Sequence, residues 1–309
     1  MNSILPRTAY ILQIHKNPEQ VNLFIKQLIS GGQADVYIHI DKKSYESINS
    51  QLLNSPYVKV LSESVNCEWG DIGQVNATLL LLQEVIASGK KYDFVCLRSG
   101  QDLLIQNGFK GFLKENKNHV FMKSRKLTKS QMGLMKINWP IITRKRYANF
   151  HPIRFFRSIL LGLYRMGLNL LPNRNYFPDE FEIYKGSQWF SIPIEVAEYI
   201  LNFLNENKWY HQFFENTLVP DESFFHTIIM NSPYKNVVVN QNLFYMKWGV
   251  TMSERNSPQF LRKEDISKIK DSKMFFARKF DMNVDREIVV FFSENMSFGE
   301  KDTVQKLEA

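Results

Sequence analysis

Cysteine is nearly absent from this chain: Cys67 and Cys96 are the only two in 309 residues. Two thiols do not make the bridged framework of a small secreted scaffold, and Cys96 lies in an apolar strand-like run. Both are expected to be structural or inert, as in a reducing cytosol. Long apolar stretches are also missing, and none reaches the roughly 18 residues that suggest a membrane-crossing helix. The opening MNSILPRTAYILQIH goes almost directly into a strand, without the basic, apolar and small-residue order of a signal peptide. The expected location is therefore cytoplasmic. There is no repeat at solenoid or propeller period and no low-complexity segment. Neither GxGxxG nor a Walker A pattern occurs, which leaves a dinucleotide or P-loop site without support.

What is present suits a globular protein. The chain is 44% hydrophobic and 14% aromatic, enough for a full core as one large domain or two fused layers. A formal charge of +8 and a pI near 9.2 point to an anionic partner. Nucleic acid, a membrane surface and a phosphorylated substrate all qualify on charge alone.

The first 120 residues alternate in period. Thr8 to His15, TAYILQIH, reads as a buried strand, and Asn17, Pro18 and Gln20 follow as N-cap, N1 and N3 of a helix. Val21, Phe24, Ile25, Leu28 and Ile29 keep to one helical face, and Gly31 and Gly32 supply the stop. Ala34 to Asp41 is the next strand, Gln74 to Ser88 a helix, Tyr92 to Ser99 a third strand and HVFMKS, from His119, a fourth. Strands separated by helices imply right-handed crossovers and a mainly parallel sheet, with a ligand crevice beyond its carboxyl ends.

His15, Asp41 and the turn from Ser99 to Asp102 fall at those strand ends. Each alone more often caps or solvates a loop; together they mark a candidate site. A strand-end aspartate can accept from a ribose hydroxyl or a base edge.

Several segments carry a resemblance: AYILQIHKNPEQ, DVYIHIDKKS, EWGDIGQVNATLLLLQEV, YDFVCLRSGQDLLI, GSQWFSI, VPDESFFHTIIMNSP, and SPQF with FFARKFD. In order and spacing, from about Ala9 to Asp281, the chain resembles the Core-2/I-branching glycosyltransferases, which include β-1,6-N-acetylglucosaminyltransferases and peptide O-xylosyltransferases. DESFFHT and FARKFD look closest to the xylosyltransferase branch. The resemblance implies an α/β fold of GT-A type, a mainly parallel central sheet flanked by helices with an irregular C-terminal part. It also implies inverting, metal-independent transfer from a UDP-sugar to a hydroxyl of a glycan acceptor, with no cofactor.

Many GT-A enzymes hold a metal on the diphosphate through Asp-x-Asp, which is nowhere in this sequence. By the resemblance, Arg278 and Lys279 of FARKFD take that role, a planar fork beside a mobile point charge. Outside that context the pair would read as an ordinary basic turn. Ser257 matches a position that helps bind the diphosphate, and Arg255 lies nearby.

In VPDESFF, Glu222 matches the family's catalytic base, which takes the acceptor's proton as its hydroxyl attacks opposite UDP. Asp221 is expected to cap or support. Pro220 with SFFHTIIM also reads as a plain helix start, and both readings hold together. Trp69 and Gly70 match a stretch lining the donor pocket, where glycine lets a backbone approach the nucleotide. Trp189 and Trp248 are candidates for the sugar pocket, although a tryptophan is more often core. Asp102 matches a position near donor or acceptor; its plain alternative is an Asx turn.

From Lys123 to Phe177 there are twelve Lys or Arg and no Asp or Glu. This stretch is read as a basic, partly amphipathic insertion in a single domain of residues 1–281. Within 144–171 two readings stay open: a helix lying on an anionic membrane, near a lipid-linked oligosaccharide acceptor, or a solvated helix packed on the core. A nucleic-acid-binding protein and a glycan-binding module without catalysis are the alternatives. No nucleic-acid module is visible, so no nucleic-acid partner is expected. Residues 282–309 read as a strand, Glu287 to Phe292, and a polar tail.

Overall fold

The fold is that of a computed structural model, which describes residues 7–249 and 257–296. A seven-stranded sheet has the order β3-β2-β1-β4-β7-β6-β8. Its strands are β1 (Thr8–Ile14), β2 (Ala34–Ile40), β3 (Val58–Val60), β4 (Phe94–Ser99), β6 (Val120–Lys126), β7 (Tyr184–Pro193) and β8 (Val238–Val239). β7 alone runs against its neighbours, pairing antiparallel with β4 and β6. The rest is the mainly parallel α/β arrangement expected. A smaller sheet orders β5 (Leu103–Leu104), β10 (Phe276–Arg278) and β9 (Phe244–Met246).

β1 is a continuous apolar run because both faces of the central sheet are covered. Ala9, Tyr10, Ile11 and Leu12 are completely buried. On one side the helix Pro18–Ile29 turns Val21, Phe24, Ile25 and Leu28 into the core, with Pro18 starting it and Lys26 in its last turn. The helix Gly73–Ala87 buries Val75, Leu81, Leu82 and Val85.

Two local expectations are corrected. Asn17 does not cap the first helix: its backbone is left-handed, φ 53°, and its side chain donates to Asp281. Gln20 likewise donates to the carbonyls of Gly100 and Phe280. Long-range bonds to the segment after β10 outcompete the local cap. Glu287 to Phe292, expected as a strand, lies in the helix Arg286–Asn295, capped by Asp285, whose carboxylate accepts from Ile288 N. Ile288, Val289 and Phe292 join the main core. A short run of β-branched and aromatic residues fits a buried helix as readily as a strand. Arg255 and the tail from 297 onward lie outside the described residues.

Candidate active site

The chain passes from β1 to β2 on one side and from β3 back to β4 on the other, so the strand order reverses between β1 and β4, the position at whose carboxyl ends such sheets take ligands. Ile14 and Ile40 are register partners, which brings His15 and Asp41 side by side. Asp41 accepts from the amides of Lys43 and Cys67 and so ties down two loops. His15 is exposed, and its pKa is lowered by partial desolvation and by Lys16 and Lys279, against a pull from Asp41. Cys67 and Cys96 are free thiols; burial, with Asp41 and Asp221 nearby, pushes Cys67 up to about 12.

β10 delivers the cations. Arg278 is buried, with its guanidinium carbon 4.0 Å from the ring centre of Trp189 on β7 and Nε 3.7 Å from Asp102 Oδ1. Its Nε and Nη1 make no hydrogen bond among the described residues. Desolvation lowers its pKa against the pull of Asp102. Lys279 donates to Ser257 Oγ at 2.9 Å, and burial with Arg278, Arg146 and Lys16 around it pushes its pKa down to about 8. Four cations thus converge, offset nearby by Asp281, which pairs with Lys16 at 2.6 Å.

Asp102 is completely buried and accepts from Ser99 N at 2.7 Å and Ser99 Oγ at 2.9 Å. It thus closes the turn backwards onto Ser99 and not as an Asx turn, whose amide donor lies two residues on, and it also sits behind Arg278 as its counter-charge. Burial raises its pKa, opposed by Arg278.

The paired carboxylates stand in the 3-10 turn Pro220–Glu222, ahead of the helix Phe224–Met230. Glu222 is 38% exposed at its side chain and pairs with Lys185 Nζ at 2.6 Å. Asp221 is buried in the first turn of that 3-10 segment, its Oδ1 makes no hydrogen bond among the described residues, and the backbone amides of Asp221 and Glu222 act on its carboxyl. Burial and the adjoining Glu222 push it up to about 7.

β7 holds the two halves together, carrying Lys185 against Glu222 and Trp189 against Arg278. Between them the pairing with β6 shifts register at Met122 and Ser124. A Cβ on Gly186 would lie 1.6 Å from the carbonyl oxygen of Lys123, so only glycine fits.

The aromatic and glycine candidates divide. Trp189 joins the cation cluster. Trp69 is partly exposed and sits under the Arg157 guanidinium at 5.2 Å. The close approach at Gly70, φ 82°, is to the Arg144 carbonyl and Leu218. Trp248 is 53% exposed beside the undescribed residues 250–256. A separate cleft of about 460 Å³, lined by Leu79, Leu204, Lys208 and His211 among others, contains none of the candidate residues. Lys16, Arg146 and Lys185 were missed from sequence, since nothing local distinguishes them from solvated cations. Among the described residues no three His, Cys, Asp or Glu side chains gather as a metal site.

The sequence model described as Core-2/I-Branching enzyme matches residues 8–273. A xylosyltransferase of Ciona intestinalis is 25% identical over 92% of this chain and 33% of its own length. Xylosyltransferase 2 of Rattus norvegicus is 24% identical over the same shares. The chain therefore spans about a third of the length of these curated relatives. The crystal structure of apo mouse xyloside xylosyltransferase 1 superposes with a TM-score of 0.39 and 10% identity, covering 88% of this chain and 97% of that one. With residues 8–273 matched, the chain belongs to the Core-2/I-branching enzyme family, a family of glycosyltransferases.

Proposed function

We propose that this chain moves a sugar from a UDP-sugar to a hydroxyl of a glycan acceptor in one inverting displacement. Arg278 and Lys279 take the charge that grows on the departing diphosphate, without a divalent ion. The observation that carries this reading is the Arg278 guanidinium: buried, held between Trp189 and Asp102, with Nε and Nη1 making no hydrogen bond among the described residues. A positioned fork of donors is suited to diphosphate oxygens. Lys279, with Ser257 on its ammonium, supplies the second charge.

The acceptor's proton goes to Glu222, the more exposed of the paired carboxylates. The C–O bond to UDP breaks as the new glycosidic bond forms on the opposite face, and Lys185 stays beside the base. His15 and Asp41 border the nucleotide side; Trp69, Gly70, Trp248 and Asp221 are proposed around the sugar and acceptor. The relatives are named xylosyltransferases, so UDP-xylose heads the donor panel, followed by UDP-N-acetylglucosamine.

The test is turnover and donor affinity of wild type and Glu222→Gln with EDTA present. Glu222→Gln should lose about 100- to 10,000-fold in kcat, the usual worth of a general base, with donor affinity nearly intact. Near-normal turnover in that variant removes Glu222 from the role. Wild-type turnover abolished by EDTA removes the metal-free scheme.

A further inference from the structure

The helix Pro152–Arg165 is amphipathic in the unusual sense: its apolar side faces out. His151 caps it by accepting from Ile153 N, and only Arg157 and Leu160 of its side chains are buried. Leu161 and Tyr164 seat it on Gly133, where a Cβ would come within 2.9 Å of Leu161. Phe155, 71% exposed, Ile159 and Met166, 76% exposed, share the opposite side, because positions four and seven apart return to one face. Fully exposed Phe150 precedes them, and exposed Leu168 and Leu170 follow. An apolar patch of this extent on a surface marks an interaction site.

Charge identifies what covers it. Lys145, Arg146, Arg165 and Arg174 are exposed around the patch, and residues 123–177 contain no carboxylate side chain. A second copy of the chain, related by a two-fold axis, would set these cations against themselves with nothing to answer them. A nucleic acid would meet the cations and leave the aliphatic tips in water. An anionic bilayer meets both, with phosphates at the cations and the acyl boundary taking Phe155, Ile159 and Met166. Among the described residues no helix is long and apolar enough to cross a membrane.

We infer that the face formed by residues 141–171 docks this protein on an anionic membrane surface, the helix Pro152–Arg165 lying in the headgroup plane. The same face adjoins the catalytic site. Arg157 covers Trp69, Arg144 pairs with Asp71 at 2.7 Å, and Arg146 is one of the cations acting on Lys279. Docking would bring a lipid-linked oligosaccharide to that site; this consequence rests on the proposed glycosyl transfer, whereas the docking does not.

The experiment is co-sedimentation of the whole chain with vesicles of phosphatidylcholine alone, or mixed equally with phosphatidylglycerol. Wild type should pellet with the mixed vesicles, weakly with neutral ones, and less at high salt. Phe155→Ser with Ile159→Ser, and separately Lys145→Glu with Arg165→Glu, should each weaken binding about tenfold or more, with circular dichroism and melting temperature unchanged. Equal binding to both vesicles, no binding, or undiminished binding by either folded variant overturns the inference. So does a wild-type dimer that Phe155→Ser with Ile159→Ser dissolves. Loss of UDP binding with vesicle binding intact would strike the catalytic reading alone.

Discussion

Arg278 rests on Trp189, guanidinium carbon to ring centre 4.0 Å, across 89 residues of sequence. A cation over an indole face gains about 0.5 to 2 kcal/mol, more when desolvated. Trp189→Leu should therefore weaken donor binding roughly tenfold, and Trp189→Phe should lose less. Calorimetry with UDP separates the two, and equal affinity in all three proteins would exclude the stack from donor binding.

Asp102 is the buried counter-charge behind that arginine. Asp102→Asn leaves a desolvated cation unanswered, which costs about 3 to 5 kcal/mol. The diphosphate should restore part of the loss, so UDP should raise the melting temperature of Asp102→Asn by more than it raises wild type. Identical shifts would break the link between Asp102 and donor charge.

Lys279, held down to about 8 by burial and its cationic neighbours, is an ammonium below that pH and a neutral amine above it. Donor affinity should be full below pH 8 and fall as the pH rises through it. Arginine keeps its charge, so Lys279→Arg should bind UDP with a flatter profile. A wild-type profile that stays level to pH 9.5, well above about 8, counts against a role for the ammonium.

Asp221 is shifted the other way, upward, and the quantity it governs is stability. Its pKa is raised from 3.8 to about 7, so the native state holds a proton that the unfolded chain releases. That stabilisation is complete below the unfolded value and disappears as pH climbs through about 7. Asp221→Asn should lose less melting temperature between pH 4 and pH 7 than wild type does. Parallel curves would show that Asp221 titrates ordinarily.

Much of the scaffold was readable because its strongest periods are local. β1, β2 and β4 appear as apolar runs, and the helices Pro18–Ile29 and Gly73–Ala87 show one-sided spacing. β7 escaped notice: YKGSQWFSIP alternates poorly, being buried throughout its second half and bulged in its first. The C-terminal helix was mistaken for a strand, although Asp285 three residues before Ile288 was its cap signal. In the site, strand ends located His15, Asp41 and Asp102, and the family resemblance singled out Glu222, Arg278 and Lys279. What local pattern could not supply was pairing. Lys185 with Glu222 and Arg278 with Trp189 are contacts between distant segments, visible only once β7 is seated.

The glycine at 186 admits no substitute with a side chain, because Lys123 crowds it from the adjoining strand. The backbone at that point has a single seating, and it serves as a ruler along β7: it sets the spacing of Lys185, which pairs with Glu222, from Trp189, which carries Arg278. Under the proposed transfer, changes elsewhere on the surface would leave the spacing of these two contacts as it is.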